Sequence, residues 1–454
     1  MTTAIVWFRQ DLRLADNPAL LAAVRAASTV VPVFIWSPEE EGEWAPGGAA
    51  RWWLHESLRA LDASLRERGS RLVLARGPAV ATLQALVRDT GATQLYWNCR
   101  YEPAALRIDA TLRRELAASG LVAHGFHSSR LVEPGSVRGA SGEPLRVFTP
   151  FWRAFLAQAS IESPEASPAD VPAPTSWPAS IPLADLDVLP THPWHQKLAT
   201  HWQPGEAAAR AALKTFTRQR LAGYAQTRDR PDLGGTSRLS PYLRHGELSS
   251  RQVWAAVGKA LQHAGASVEE IRTDRFRAEL IWREFATQQL VLHPALPDRA
   301  LSARFEAMPW RNEQAEFTAW ARGATGEDMV DAGMRELWQS GWMHNRVRMT
   351  TASYLVKNLL QDWRRGERWF WDTLVDADLA SNALNWQWVA GTSPDAAPWF
   401  RVFNPRSQAE KFDPDGAYRR RFLDGHALER PATPMVDLKE SRQRALDAYG
   451  GAAR

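Results

Sequence analysis

A single cysteine, Cys99, occurs in 454 residues. No intrachain disulfide can form, and multi-cysteine metal and iron–sulfur sites are excluded with it; Cys99 itself reads as a small strand-end residue without chemistry. Long apolar runs are equally scarce. Nothing approaches the roughly 20 apolar residues of a membrane-spanning helix, and MTTAIVWFRQ lacks the basic-then-apolar pattern of a secretory signal, so cytoplasmic residence is expected. No GxGxxG follows the first apolar run, which leaves dinucleotide binding there unsupported. Tyrosine is sparse, with 7 residues against 22 tryptophans. Core packing rarely chooses the largest ring so often, because its N–H needs a partner when buried. Lysine is sparse beside arginine, at a net charge of +4. Arginine's planar fork suits phosphate, which is compatible with a nucleic-acid partner without establishing one.

What is present falls into two unlike halves. Residues 1–130 alternate apolar, β-branched runs, AIVWF (4–8), TVVPVFIW (29–36), RLVLA (71–75), QLYWN (94–98) and LVAHGF (121–126), with helical patterns such as AARWWLHESLRALDASLRERG. Strands alternating with amphipathic helices predict an α/β, Rossmann-like domain built on a doubly wound parallel sheet. Eight prolines then fall between Ser160 and Trp194 with no helical or strand period, so residues 131–203 are expected to be an interdomain linker. Residues 204–454 read as helix upon helix, for example SSRQVWAAVGKALQHAG, and predict an all-α domain.

Four segments of the helical half carry more chemistry than core packing needs. GGTSRLS (234–240) places hydroxyls and backbone N–H groups ahead of a helix, a junction that suits phosphate and also resembles an N-capping loop. ELIWREF puts Glu279, Trp282 and Arg283 on one helix face, where Glu279 and Arg283 could equally be an ion pair. WMHNRVRM (342–349) gathers polar and charged groups around an indole. On a helix Trp342, Asn345 and Met349 share a face with Arg348 at its edge, fit for a planar, charged ligand or for plain solvation. In DADLASNALNWQW, Asp376 and Asp378 precede Asn382, Trp386 and Trp388, and the aspartates could simply cap the helix.

Taken in order, WFRQDLRLADNPAL, GTSRLSPYL, ELIWREF, GWMHNRVRM, DADLASNALNWQW and DAAPWFRVFNPRSQAEKFD resemble the signature blocks of the photolyase and cryptochrome flavoproteins over almost the whole chain. The likeness is to DNA photolyases for cyclobutane pyrimidine dimers, and PEEEGEWAPGGAARWWLHESL with PGEAAARAAL resembles the class III branch near plant cryptochromes. The resemblance implies FAD folded into a U inside residues 204–454, with residues 1–130 holding an antenna. Tyr224, Thr236, Ser237, Arg238, Leu239 and Ser240 would hold the phosphates and ribityl chain. Trp342 and Asn345 would line the flavin, Arg348 would pair with Asp376 against the isoalloxazine, Asp378 would accept from the ring, and Asn382 would face N5. A neutral amide there suits a reduced, anionic flavin and favours repair over signalling, since plant cryptochromes typically place Asp at that position.

Light-driven repair of UV-damaged DNA is the activity implied. Trp282 and Trp388 would be the aromatic walls for an extruded dimer, and Glu279 would hydrogen-bond a thymine edge. Met349 fits dimer repair rather than the histidine-dependent six-four chemistry, and His344 is read as structural. Trp386, Trp363 and Trp310 would relay electrons, while Arg228, Arg283, Arg346 and Arg401 would meet DNA, chiefly at phosphates. The antenna is expected to be methenyltetrahydrofolate, with a deazaflavin or none as alternatives. YEPAAL (101–106) stands where folate-binding bacterial enzymes carry an Asn-Glu pair, so contacts from the 38–52 stretch are expected instead. No metal and no obligate protein partner is expected, and the chain should act as a monomer. A six-four photolyase or a cryptochrome-type photoreceptor is the alternative, disfavoured by Met349 and by Asn382 with its short tail after FNPRSQAEKFD.

Overall fold

A computed structural model describes residues 2–117, 120–393, 395, 401–425, 431 and 433–452. Five strands, β1 (Thr3–Phe8), β2 (Thr29–Trp36), β3 (Val73–Arg76), β4 (Gln94–Asn98) and β5 (Val122–Phe126), form one parallel sheet in the order β3-β2-β1-β4-β5. The doubly wound architecture read from the alternating runs is therefore present. Along β1 the side chains part to opposite faces: Ala4, Val6 and Phe8 pack with Leu20 and Leu58 on one, Ile5 and Trp7 with Leu83 and Leu95 on the other. Burial on both faces is why these strands are continuous apolar runs rather than alternating ones. Pro32 is tolerated inside β2 because β3 pairs only with Val33–Trp36, beyond it.

The proline-rich stretch is bound rather than free. Val30 N–H donates to Pro172 O (2.7 Å), Ile181 N–H to Leu74 O (2.8 Å) and Val171 N–H to Arg68 O (3.0 Å), so the strap is tied to the α/β domain. The segment read as linker also contains a helix, Phe148–Gln158, which corrects that reading in part. Its Phe151 and Phe155 recur at i and i+4 and are buried in the core of the helical half. Among the described residues no helix is long and apolar enough to cross a membrane.

Polar groups fasten the two halves. Arg13 donates to Gly246 O (2.9 Å) and to Ser128 Oγ (2.6 Å), and Arg251 pairs with the fully buried Asp16 at 2.8 Å. Gly246 has φ +70°, and a Cβ there would lie 2.0 Å from Gln10 O, so the seam closes only over a glycine. Beside it Glu247, fully buried, accepts from Trp53 Nε1 (3.0 Å), Ser57 Oγ (2.6 Å) and Gly205 N. Burial pushes its carboxyl up to about 7, against the lowering effect of those bonds.

A carboxyl raised in the folded chain contributes stability that is complete below its unfolded pKa and lost as pH rises through its folded one. Glu247→Ala should lower unfolding free energy by about 2–4 kcal/mol at mildly acidic pH, because three donors lose their acceptor. The parent's advantage over the non-titrating Glu247→Gln should shrink from about pH 5 to about pH 8 in denaturant titrations. A pH-independent difference would contradict the buried-acid description.

Candidate functional site

The site is built where two helices meet, Trp363–Thr373 and Leu379–Ala390. Asp362 and Asp378 cap them, accepting from Arg364 N and Ser381 N respectively, as the Asp positions in the sequence allow. At Gly366 the helices nearly touch: a Cβ there would lie 2.2 Å from the Trp386 ring. That approach lays Trp386 against Phe370, with ring centroids 5.0 Å apart, and lets Asn382 Nδ2 donate to Glu367 O at 3.1 Å. Trp363 and Trp386 are buried in the same core, and Trp386 also meets Trp320 at 6.4 Å. Trp310 is partly buried with its indole N–H unpartnered, and Trp388, also partly buried, leans on Phe403 at 6.3 Å.

A second wall comes from the segment after Gly341. Its helix begins only at Asn345, so Trp342 precedes it and does not share a helical face with Asn345 and Met349, correcting the sequence reading. Three non-helical residues follow Gly341, whose φ of +66° closes the preceding helix, Asp328–Ser340. His344 is the N-cap: its Nδ1 accepts from Arg346 N at 3.1 Å, a structural use, and burial pushes its pKa down to about 4. Asn345 is exposed, with its Nδ2 4.0 Å from the Met349 sulfur. Arg348 donates to Met343 O (2.7 Å) and pairs with Asp376 at 2.8 Å, as expected of that pair.

Facing them, Trp342 Nε1 donates to Ser240 Oγ at 3.3 Å, and the Arg238 guanidinium lies over Trp202 (4.3 Å) and Trp342 (4.9 Å). Arg238 takes a left-handed backbone, φ 53°, which turns the Thr236–Ser240 loop. Leu239 N–H already has Ser237 Oγ at 3.3 Å, and Thr236 O accepts from Arg220. The helix that follows, Ser240–Arg244, has only five residues, so the dipole expected to attract phosphate is a single turn. Tyr224 is buried edge-on to Phe216 and Phe276.

Several charged residues find partners other than those the sequence suggested. Glu279 pairs closely with Arg228, not with Arg283. Arg346 pairs with Asp229 at 2.9 Å and covers Phe412, so Arg228 and Arg346 sit in an ion-pair chain, while Arg401 is exposed. Arg283, read as a DNA contact, instead points inward: it donates to Ser250 Oγ (3.2 Å) and Leu243 O (3.4 Å), and burial and then Arg130 push its pKa down to about 10. Asp378 is also reassigned. Its Oδ1 caps the helix and its Oδ2 pairs with Arg130 at 2.9 Å; against the raising effect of burial, Arg130, Arg283 and Arg244 hold it below the usual carboxylate range. Trp282 has one face covered by Phe148, with ring centroids 3.5 Å apart and planes 7° from parallel.

A buried polar atom left without a protein partner calls for an explanation, such as a ligand, an ordered water or a retained proton. Arg238 Nε, Asp376 Oδ1 and both Glu367 carboxyl oxygens are such atoms around these walls. With Trp342 and the Arg348–Asp376 pair they fit a planar, polar, anionic cofactor such as FAD. Sequence reasoning missed Glu336, which accepts from Tyr418 Oη at 2.6 Å and is pushed up to about 7 by burial; Arg238 and Arg348 are near enough to act on its charge. It also missed Phe148, Arg130 and Glu367. Of these only Glu367 left a signal, its i+4 spacing from Trp363.

Residues 4–174 match the family model described as DNA photolyase, and residues 276–432 the one described as FAD binding domain of DNA photolyase. A deoxyribodipyrimidine photo-lyase of Agrobacterium fabrum is 45% identical, over 98% of this chain and 97% of that protein. Cryptochrome-1 of Arabidopsis thaliana is 39% identical over 92% of this chain and 62% of that protein. The crystal structure of a bacterial class III photolyase from Agrobacterium tumefaciens matches with a TM-score of 0.93 and 44% identity, covering 100% of this chain and 98% of that one.

The helix contact yields a direct test. Gly366→Ala forces a methyl into the Trp386 ring and should destabilise the chain by about 1–3 kcal/mol, although alanine is the better helix former by about 1 kcal/mol. Denaturant unfolding that shows the variant equal to or more stable than the parent would refute the close approach.

Proposed function

Because the chain belongs to the photolyase and cryptochrome family, we propose that it is a deoxyribodipyrimidine photo-lyase, a lyase that repairs cyclobutane pyrimidine dimers in UV-damaged DNA with blue light. The observation that carries this reading is its likeness, at 45% identity over 98% of the chain, to a protein of that name. The class III branch is favoured by the 0.93 TM-score to a class III photolyase. Bound between these walls, reduced FAD would supply the light-excited electron that opens the dimer and would recover it afterwards.

The chain's own residues bind, orient and exclude water. Thr236, Ser237, Leu239 and Ser240 offer hydroxyl and backbone groups to the phosphates and ribityl chain beside Tyr224, with Arg238 as counter-charge. Trp342, Asn345 and Arg348, the last fixed by Asp376, would border the isoalloxazine. Asn382, held by Glu367 O, would lie beside the flavin with an amide that cannot readily donate a proton, which suits an anionic flavin.

Extruding a dimer costs a few kcal/mol, and stacking on an aromatic side chain returns about 1–3 kcal/mol per base. Trp388 and the free face of Trp282 are the proposed walls; Phe148 backs the other face of Trp282. Glu279, anchored by Arg228, accepts from the thymine edge, and Met349 closes the pocket without a titratable group. Trp386, Trp363 and Trp310 are proposed as the electron route to the flavin. Arg401 is proposed to meet DNA phosphates, with Arg346 at the cost of its ion pair to Asp229 and Arg228 through the part of its fork that Glu279 does not engage.

The antenna is proposed to lie in a cleft at the carboxyl ends of β1 and β2, lined by Trp7, Arg9, Trp36, Glu40, Glu41 and Arg100. Strand order reverses between β1 and β4, the place where doubly wound sheets bind ligands. Glu40, Glu41, Pro46 and Ala50 bring the 38–52 stretch to this cleft. Its indoles and carboxylates suit the pterin of methenyltetrahydrofolate, ahead of a deazaflavin or no antenna. The protein is proposed to act as a cytoplasmic monomer. The second reading, a photoreceptor, draws on the likeness to Cryptochrome-1 and is disfavoured by the amide at 382.

Protein with chemically reduced FAD should restore intact thymines in an oligonucleotide carrying one cyclobutane dimer under blue light and not in darkness. Lack of restoration despite bound FAD and tight DNA binding would move the assignment to six-four repair or photoreception. Glu279→Ala should lower repair yield far more than affinity for the dimer; equal losses would contradict its proposed contact with the reacting base. Trp386→Phe should abolish photoreduction of oxidised FAD while prereduced enzyme still repairs, and photoreduction retained in the variant would remove Trp386 from the route.

A further inference from the structure

Glu367 stands out among the acids of the helical half. It is fully buried, and neither carboxyl oxygen has a hydrogen-bond partner. Its neighbours in sequence are locked, since Gly366 has no room for a Cβ against Trp386, and its own carbonyl holds the Asn382 amide at 3.1 Å. An isolated carboxylate is costly in such surroundings unless paired. The charged groups acting on it are Asp298 and Asp362, which oppose ionisation, and Arg364 and Arg368, which favour it; burial outweighs all four and pushes the carboxyl well above the usual carboxylate range.

Building on the placement of Asn382 at the flavin, we propose that Glu367 tunes the bound flavin: held as an uncharged acid at the rung that anchors Asn382, it keeps fixed negative charge away, and its ionisation makes the flavin harder to reduce. The physical basis is that a charge in a water-poor interior is weakly screened, so a carboxylate there opposes addition of an electron nearby. A buried acid can therefore link the reducibility of the flavin to pH without touching the lesion.

The test is spectroelectrochemistry of the full chain with FAD, from about pH 6 to about pH 9.5, alongside infrared spectra of the same samples with carboxyl-labelled glutamate. The parent's midpoint potential should match that of Glu367→Gln at the acidic end and fall below it at the alkaline end. The protonated-carboxyl stretch assigned to Glu367, absent from the variant, should disappear over the same range. Superposable potential profiles, or a parent spectrum in which no buried protonated carboxyl titrates with the potential, would overturn the proposal. The infrared titration of the parent needs no variant, so the test survives if Glu367→Gln folds poorly. Asn382→Asp separates the two ideas. If it leaves the potential unmoved, the placement of Asn382 fails; if it moves the potential while Glu367→Gln tracks the parent throughout, only the role of Glu367 fails.

Discussion

Everything in the candidate site depends on how closely the Trp363–Thr373 and Leu379–Ala390 helices approach. Glycine inside a helix is unfavourable by about 1 kcal/mol relative to alanine, yet Gly366 occupies the contact because the Trp386 ring leaves no space for a methyl group. From that contact the rest follows by helix periodicity. Asn382 lies one turn before Trp386, and Trp363 and Glu367 lie on the facing helix, so amide, indoles and buried acid are set by one packing decision. Trp388 follows two residues later, at the edge of this core, and leans on Phe403.

The second organising influence is the difficulty of burying charge. Across the seam between the halves it is met by pairing: Asp16 with Arg251, Asp378 with Arg130. Around the proposed flavin pocket it is met only in part, since Asp376 satisfies one oxygen with Arg348 and leaves the other orphaned. Other buried acids, Glu247 at the seam, Glu284 and Glu336, are each pushed up to about 7 by burial. Paired where the fold needs rigidity and unpaired where a ligand is to be held, the same side-chain types therefore serve different ends.

Much of this was legible in the sequence, and the failures have physical reasons. The strands were visible because β1 and β2 are buried on both faces and read as unbroken apolar runs. Asp378 as a helix cap was within reach of capping rules, while the pairing of Arg348 with Asp376, 28 residues apart, was expected only from the family resemblance. Trp342 was misplaced because a glycine and three non-helical residues precede the helix, and periodicity carries no marker for that break. Arg283 and Arg228 were assigned outward because an arginine in a helix gives no sign of whether its fork meets solvent, a carbonyl or a carboxylate from a distant segment. Arg130 and Phe148 were invisible for the same reason: their partners, Asp378 and Trp282, lie far away in sequence. Part of the block DAAPWFRVFNPRSQAEKFD, residues 396–400, lies outside the described residues.

The central claim is that the walls carrying Trp342, Arg348, Asp376 and Asn382 hold the flavin and that Glu279, Trp282 and Trp388 hold the lesion beside it. The most direct measurement is a crystal structure of the full chain with FAD and an oligonucleotide bearing one cyclobutane dimer. The account predicts the isoalloxazine beside Asn382 and the Arg348–Asp376 pair, with the extruded dimer between Trp388 and Trp282 and within hydrogen-bond reach of Glu279. A flavin bound away from Asn382, or a dimer seated on another surface, would contradict it.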